Sequence, residues 1–390
     1  MSKTVSHILS IPSDASGCST YRLHFPFYVT RSLLKDKIVR TESMRYILDT
    51  EFYRGLKLIQ TQKPISPGSC HFVTNFLKPL RDTMGFWLSM DVDDVLGGED
   101  IPKYNIGRKM YQEPKIMENL KAMLNTMDIV TTTTEELKQY YVSKFEVDAN
   151  RIVIIPNYLP RWWIGEMYDI ERIKSRFNRQ RIKRKIVFPL SVSHFDVEKQ
   201  NDCIDDLTPY IDFIKNTIKK YEWHFMGGAC PHQLIDLVKS GDIKMHAGSD
   251  ILNYPRELHE RGYDAIVAPL QDNIFNRCKS NIKLIEGWAM GIPVLAQNLV
   301  TYSKYTEWTF DDANGLQNKL DKLFSGQSKY LDVVKDNRNK VDYGDENSKN
   351  GWWMEKNISK WLKLFTLPQR CLSVDYSKYD PETMKGTVQL

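Results

Sequence analysis

Several common signatures are missing from this chain, and each absence narrows what it can do. No Gly-x-Gly-x-x-Gly joins the first strand to the first helix, so the dinucleotide fingerprint is absent and NAD is not expected. The six cysteines, at positions 18, 70, 203, 230, 278 and 371, include no Cys-x-x-Cys pair. Neither a disulfide framework nor a zinc site is indicated, and reduced thiols are expected. No apolar run approaches the ~20 residues of a membrane span. The first residues lack the basic and apolar regions of a secretory leader, so a cytoplasmic protein without an integral membrane segment is expected. There is no low-complexity tract and no repeat with a period of roughly 20 to 50 residues, which sets aside solenoids and propellers.

What is present fits an α/β protein of two domains. At 390 residues, 42% of them hydrophobic, the chain can build two cores of about 150 to 200 residues each. Short apolar strands at 5–11, 85–90, 128–132 and 151–155 alternate with helical patterns, of which 113–127 carries a clear apolar stripe. Residues 158–184 interrupt the alternation, and a second series follows with strands at 185–190, 222–228, 243–246, 263–269 and 294–296. The final pattern, 351–365, reads as an amphipathic helix. The expected boundaries are 1–165, 166–345 and a terminal segment 346–390. A net charge of +5 is compatible with a polyanionic partner without requiring one, and a monomer is expected.

Two places carry chemistry. The first is a strand end at 268, a polar loop, and then a helix whose first turn contains Lys279, Ser280 and Asn281. Free amides at a helix start beside cations make an anion site. Lys279 and Lys283 suit phosphate, and Glu286, further along, suits sugar or ribose hydroxyls. The second is Asp91-Val-Asp93-Asp94, three carboxylates at the carboxyl end of a strand, where open α/β sheets place ligand chemistry. A solvated acidic loop is the plain alternative. His224 and His246, inside apolar strands, read as core histidines.

The segment Glu286-Gly-Trp-Ala-Met-Gly-Ile-Pro-Val294 resembles the donor-binding motif of GT-B glycosyltransferases, Glu-Ala-x-Ala-x-Gly-x-Pro-Val. Eight residues earlier, where many retaining members are acidic, stands Cys278; Lys279-Ser-x-x-Lys283 resembles the phage and lipopolysaccharide-type members instead. The resemblance implies two Rossmann-like domains facing a central cleft, with a C-terminal helix crossing back to the first domain. It also implies a UDP-sugar co-substrate and no firm cofactor. A divalent metal is compatible with Asp-x-Asp, but none is predicted.

Further roles follow from that resemblance. The first loop, with Gly17, Ser19 and Arg22, would approach the acceptor and the donor phosphates. Ser193 and His194, after the first strand of the second series, would bind a diphosphate. Gly227-Gly228, read from its place after a strand, is either a close backbone approach to a base or pyrophosphate or a tight turn. One of Asp91, Asp93 and Asp94 would be the general base of an inverting transfer, Asp93 first, by similarity to phage DNA glucosyltransferases. The favoured acceptor is a hydroxymethylated cytosine in double-stranded DNA, with glucose or a pentose as the sugar.

For that acceptor, 172–185 contains eight Lys or Arg and no Asp or Glu, beside Trp162 and Trp163. Arg22, Trp162, Trp163, Arg176, Arg179 and Arg181 are the expected nucleic-acid contacts. The other readings are an envelope-glycan glycosyltransferase, a nucleotide-sugar epimerase and a non-catalytic DNA-binding protein.

Overall fold

The computed structural model describes residues 7–33, 39–41, 47–179, 183–196, 203–367 and 370. Two six-stranded sheets organise it. The first contains β1 (His7–Ile11), β2 (Val39–Thr41), β3 (Leu56–Gln62), β4 (Trp87–Asp91), β5 (Ile129–Thr132) and β6 (Ile152–Ile154) in the order β2-β1-β3-β4-β5-β6. The second contains β7 (Arg184–Pro189), β8 (Tyr221–Met226), β9 (Ile243–His246), β10 (Ala265–Ala268), β11 (Val294–Gln297) and β12 (Thr309–Phe310) in the order β12-β11-β10-β7-β8-β9. Every pairing in both sheets is parallel.

Parallel strands need helical crossovers, and the helices cover both faces. That is why the inner strands read as unbroken apolar runs: Leu88, Met90, Ile186, Val187 and Val267 are all fully buried. Counted from its own first strand, the second sheet has the 3-2-1-4-5-6 arrangement of a dinucleotide-binding fold, with its order reversing between β7 and β10. The first sheet reverses between β1 and β3. Ligands of open sheets bind outside the carboxyl ends at these reversals.

The helix Ile282–Ala289 lies close against the second sheet because Gly287 has no side chain. A Cβ there would sit 2.4 Å from Val294 Cγ2. The chain then crosses back. The helix Ser359–Phe365 sets Phe365 against Phe27 at 4.8 Å between ring centroids, and Trp361 lies under the Arg22 guanidinium at 5.4 Å. Leu159 and Trp353 form an isolated parallel bridge. The expected two-sheet α/β architecture with a returning terminal helix is therefore present.

Candidate active site

The reversal in the first sheet brings together the loop after β1, the loop after β3 and the carboxyl end of β4. Of the three aspartates there, Asp91 points into the protein. Its carboxylate is fully buried and bonded by Arg22 through Nε at 3.1 Å and Nη2 at 2.9 Å, and by Thr131 Oγ1 at 2.6 Å. Arg22 is itself 1% exposed and gives its remaining donors to Ile155 O and Asn157 Oδ1. Expected as a base and as a DNA contact, Asp91 and Arg22 are instead found buried and paired. Each is consumed by the other.

Asp93 faces Lys63, with Nζ 3.2 Å from Oδ1. Burial alone would raise the Asp93 carboxyl, but the Lys63 ammonium and the Cys18 thiol override that and hold it below the usual carboxylate range. Lys63 takes a left-handed backbone with φ of 42°, a conformation that costs an L-residue about 1 to 2 kcal/mol. Asp94 behaves in the opposite way. Burial raises its carboxyl, Lys279 pulls it down, and the neighbouring Asp93 charge pushes it up again, with a net rise. Lys279, from the second half, lies 3.7 Å from Asp94, and 31% of the Asp94 side chain is accessible.

Cys18, Asp93 and Asp94 each present a ligand atom within 4.8 Å of the others. A thiol beside a lysine ammonium fits a hard, oxygen-seeking divalent ion poorly. The positive charge at this spot is supplied by Lys63.

The reversal in the second sheet assembles the donor-side candidates. After β7, Ser193 exchanges a 2.6 Å hydrogen bond with Ser191, and His194 Nδ1 lies 2.8 Å from Asp206 Oδ2. An ionised carboxylate only accepts, so Nδ1 carries the proton. Burial lowers the His194 pKa, the hydrogen bond to Asp206 opposes that, and Lys279 and Lys283 lower it further. Gly227 follows β8 with φ of 144°, and a Cβ on it would lie 2.0 Å from Leu190 O. Its glycine is required by close packing of two strand ends.

The helix Ile282–Ala289 begins after Lys279, Ser280 and Asn281. Ser280 Oγ accepts from Asn157 Nδ2 of the first half at 2.9 Å. Asn281 is 3% exposed, and its Nδ2 has no hydrogen-bond partner. Lys283 Nζ sits 3.8 Å from Glu286. Glu286 is 2% exposed and accepts from the Tyr21 hydroxyl and, at 3.4 Å, from Tyr254. Tyr21 belongs to the first half, so the carboxylate is bonded across the cleft. Gly17 lies at that rim, where a Cβ would meet Tyr21 and Ile251 carbons only at ordinary contact distances, 3.7 and 3.8 Å.

The halves are thus closed on one another through Tyr21–Glu286, Asn157–Ser280 and Lys279–Asp94. A cavity of 570 Å³ opens on another part of the interface, lined by Asp100, Glu135, Glu136, Lys144 and Arg277, and it touches none of the site candidates.

Of the six residues expected on nucleic acid, three are buried. Besides Arg22, Trp163 is 4% exposed, bonding Ile251 O through Nε1 at 3.2 Å and packing on Phe25. Arg176 is 7% exposed and lies 3.8 Å from Asp264. Trp162 is 49% exposed beside Tyr28, and Arg179 is exposed. Arg181 lies outside the described residues.

Sequence reasoning passed over Cys18, Tyr21, Lys63, Tyr104, Asp206 and Tyr254. Lys63 carried one usable signal, its place just after a strand at the binding end of the sheet. The others become significant only through partners distant in sequence.

With this geometry in hand, the chain has the GT-B fold. It is similar to a glycosyltransferase from Rickettsia africae ESF-5 at 15% identity and a TM-score of 0.60, with 93% of this chain covering 98% of that one. Anabaena HepE, solved in complex with UDP, aligns at 11% identity and a TM-score of 0.62, covering 93% of this chain and all of HepE. An alpha-glucosyltransferase in complex with UDP-glucose and DNA containing an abasic site aligns at 9% identity and a TM-score of 0.57, covering 93% and 99%. No family model and no curated protein sequence matches the chain. At these identities the likeness is one of fold, and it bears out the GT-B resemblance at that level. None of the helices among the described residues is long and apolar enough to cross a membrane.

Proposed function

We propose that this protein transfers a sugar from a UDP-sugar to a hydroxyl acceptor. One observation carries the reading: a cationic helix start beside the second sheet faces the half-buried carboxylate of Asp94 beside the first, across the cleft of a GT-B fold. Lys279, Lys283 and the helix dipole would neutralise the diphosphate. Asn281 Nδ2, a buried donor without a partner, would find one in a ligand oxygen; such a group costs about 1 to 3 kcal/mol while unmet. Glu286 would exchange Tyr21 for a ribose or sugar hydroxyl as the halves separate to admit the donor. His194, oriented by Asp206, would donate from Nε2 to the leaving phosphate when protonated.

The acceptor proton needs a base if the anomeric centre inverts. Asp94 is the better candidate of the two remaining carboxylates. Its raised pKa favours proton uptake, whereas Lys63 commits Asp93 to the ionised state.

The acceptor we favour is a hydroxymethylated cytosine in double-stranded DNA. The solved alpha-glucosyltransferase complex with DNA and the net charge of +5 support that reading. A cell-envelope glycan or lipid-linked saccharide is the second reading. It is favoured by the burial of Arg22, Trp163 and Arg176, three of the five described residues expected on DNA.

Calorimetric titration with UDP tests the donor site, and an empty titration would overturn the reading. Mass spectrometry of nucleosides from hydroxymethylcytosine DNA incubated with a panel of UDP-sugars tests the acceptor. A glycosylated nucleoside supports DNA. UDP binding with unmodified nucleosides moves the assignment to the envelope acceptor.

A further inference from the structure

The loop that carries Asp93 and Asp94 does not stop at the first sheet. It leaves β4 through Gly97, which sits against a side-chain end, and Gly98, which is held to glycine by neighbouring backbone. A Cβ on Gly97 would lie 1.9 Å from the Tyr140 hydroxyl, and one on Gly98 would lie 2.3 Å from Tyr111 O. Six residues on, Tyr104 reaches into the second half. It is 6% exposed, and its hydroxyl donates to Asp206 Oδ1 at 2.7 Å.

Asp206 is fully buried and holds His194 Nδ1 through its other oxygen, Oδ2, at 2.8 Å. Its remaining bonds all come from the second half. Gln271 N donates at 2.6 Å and Asn276 Nδ2 at 2.9 Å, both to Oδ1. Asn276 Nδ2 also reaches the Tyr104 hydroxyl at 3.1 Å, which fixes that oxygen as donor toward the carboxylate and acceptor toward the amide. Tyr104 is therefore the contact on Asp206 that the first half supplies.

We propose that Tyr104 is a positioning residue for His194, acting through Asp206 and engaged only while the two halves are closed. The inference rests on the donor-phosphate role given to His194 above. Its physical content is simple. The Tyr104 hydroxyl takes up part of the Asp206 charge, so the carboxylate holds the imidazole in place without over-stabilising the imidazolium. A histidine that must lend its Nε2 proton to a leaving phosphate is then set when the base-bearing loop is seated, and released when the halves part.

The groups facing His194 are Asp206, Lys279, Lys283 and, from the first half, Asp94. Tyr104→Phe removes one oxygen and leaves all of them. With the Asp206 charge less shared, the imidazolium is better stabilised, and the His194 pKa measured by NMR of the whole chain should rise. An unchanged titration overturns the proposal even if no sugar is transferred, and this readout does not depend on the reaction. In a transfer assay, Tyr104→Phe should lower turnover roughly tenfold, the scale of one lost bond to a charged group, with UDP affinity within about twofold.

The loss should vanish in a His194→Gln background, because residues acting through one another do not add. Losses that multiply would overturn the coupling. Tyr140→Phe is the control. Its hydroxyl bonds Asp100 of the same loop at 2.8 Å, and its removal should leave both the His194 titration and turnover unchanged. If it moves them as Tyr104→Phe does, general loop stability explains the effect and the proposal fails. A wild-type protein that binds no UDP would instead sink the donor reading and leave the titration result standing.

Discussion

The two sheets end in opposite chemistry. At the reversal of the first, the carboxyl ends present Asp91, Asp93 and Asp94. At the reversal of the second, they present His194, Lys279 and Lys283. The second set sits in one contiguous stretch plus one loop, and it is governed by a helix start that any reader of the sequence can find. The first set is three aspartates within four residues, and their neighbours in the sequence say nothing about which does what. Arg22 takes Asp91 from 69 residues away, Lys63 takes Asp93, and Lys279 of the opposite half faces Asp94. A local element such as a helix start is visible in sequence, and side-chain pairing with long-range partners is not.

The sharpest way to break this contrast is to treat the aspartates separately. Asp94→Asn should lower turnover by roughly 10² to 10⁴, the usual contribution of a positioned base, with the melting temperature and UDP-sugar affinity near wild type. Near-normal turnover in that variant would place the base elsewhere or make the transfer a retaining one, which NMR of the product anomer decides.

Asp91→Asn tests the other end of the same short loop. It leaves the Arg22 guanidinium buried without its counter-ion, and breaking such a pair costs about 3 to 5 kcal/mol. The expected outcome is a large drop in the urea midpoint measured by circular dichroism. A stable Asp91→Asn protein that has lost only activity would reverse the assignment, returning Asp91 to the cleft.

On the cationic side, Lys279→Ala should weaken UDP binding by roughly 1 to 3 kcal/mol, the range for a lost charge-assisted contact. Calorimetry reads it directly. Because Lys279 also faces Asp94, its removal should raise the pH at which turnover half-develops as well. An affinity loss without that shift would mean that Asp94 is not the titrating base.

The fold was legible to a similar degree and for the same reason. The alternation of strands and helices, the Gly-Pro turn after Met290 and the returning terminal helix are local patterns, and the structure contains them. The basic run at 172–185 is mixed in exposure: Arg172, Lys174 and Arg179 are exposed, while two of its arginines are engaged by the protein itself. Arg176 turns inward toward Asp264, and Arg184 stacks on the Phe177 ring at 3.9 Å. For these two arginines the charge read in the sequence is spent inside the protein, so a count of arginines does not by itself give the surface open to a phosphate backbone.

The smallest expected effect separates two histidines of the second half, one read from the sequence as a diphosphate contact and the other as a core residue. His194 follows its strand and answers to the other half of the molecule. His224 lies within β8, 4% exposed, bonded to Glu222 at 2.7 Å and to His246 at 2.8 Å. Burial lowers its pKa to about 4 against the pull of Glu222, with His246 and Lys185 lowering it further. A histidine depressed in the folded state binds its proton more readily when unfolded, so stability is full above the ordinary histidine pKa. It is lost as the pH falls from about 6.5 toward 4. Between pH 7 and pH 5 this one group should account for about 1 to 2 kcal/mol of the loss. His224→Gln should flatten the pH dependence of the urea midpoint by that amount and leave UDP binding unchanged. An equally steep dependence in the variant would mean that the fold tolerates a charged His224, and that its pairing with Glu222 outweighs burial.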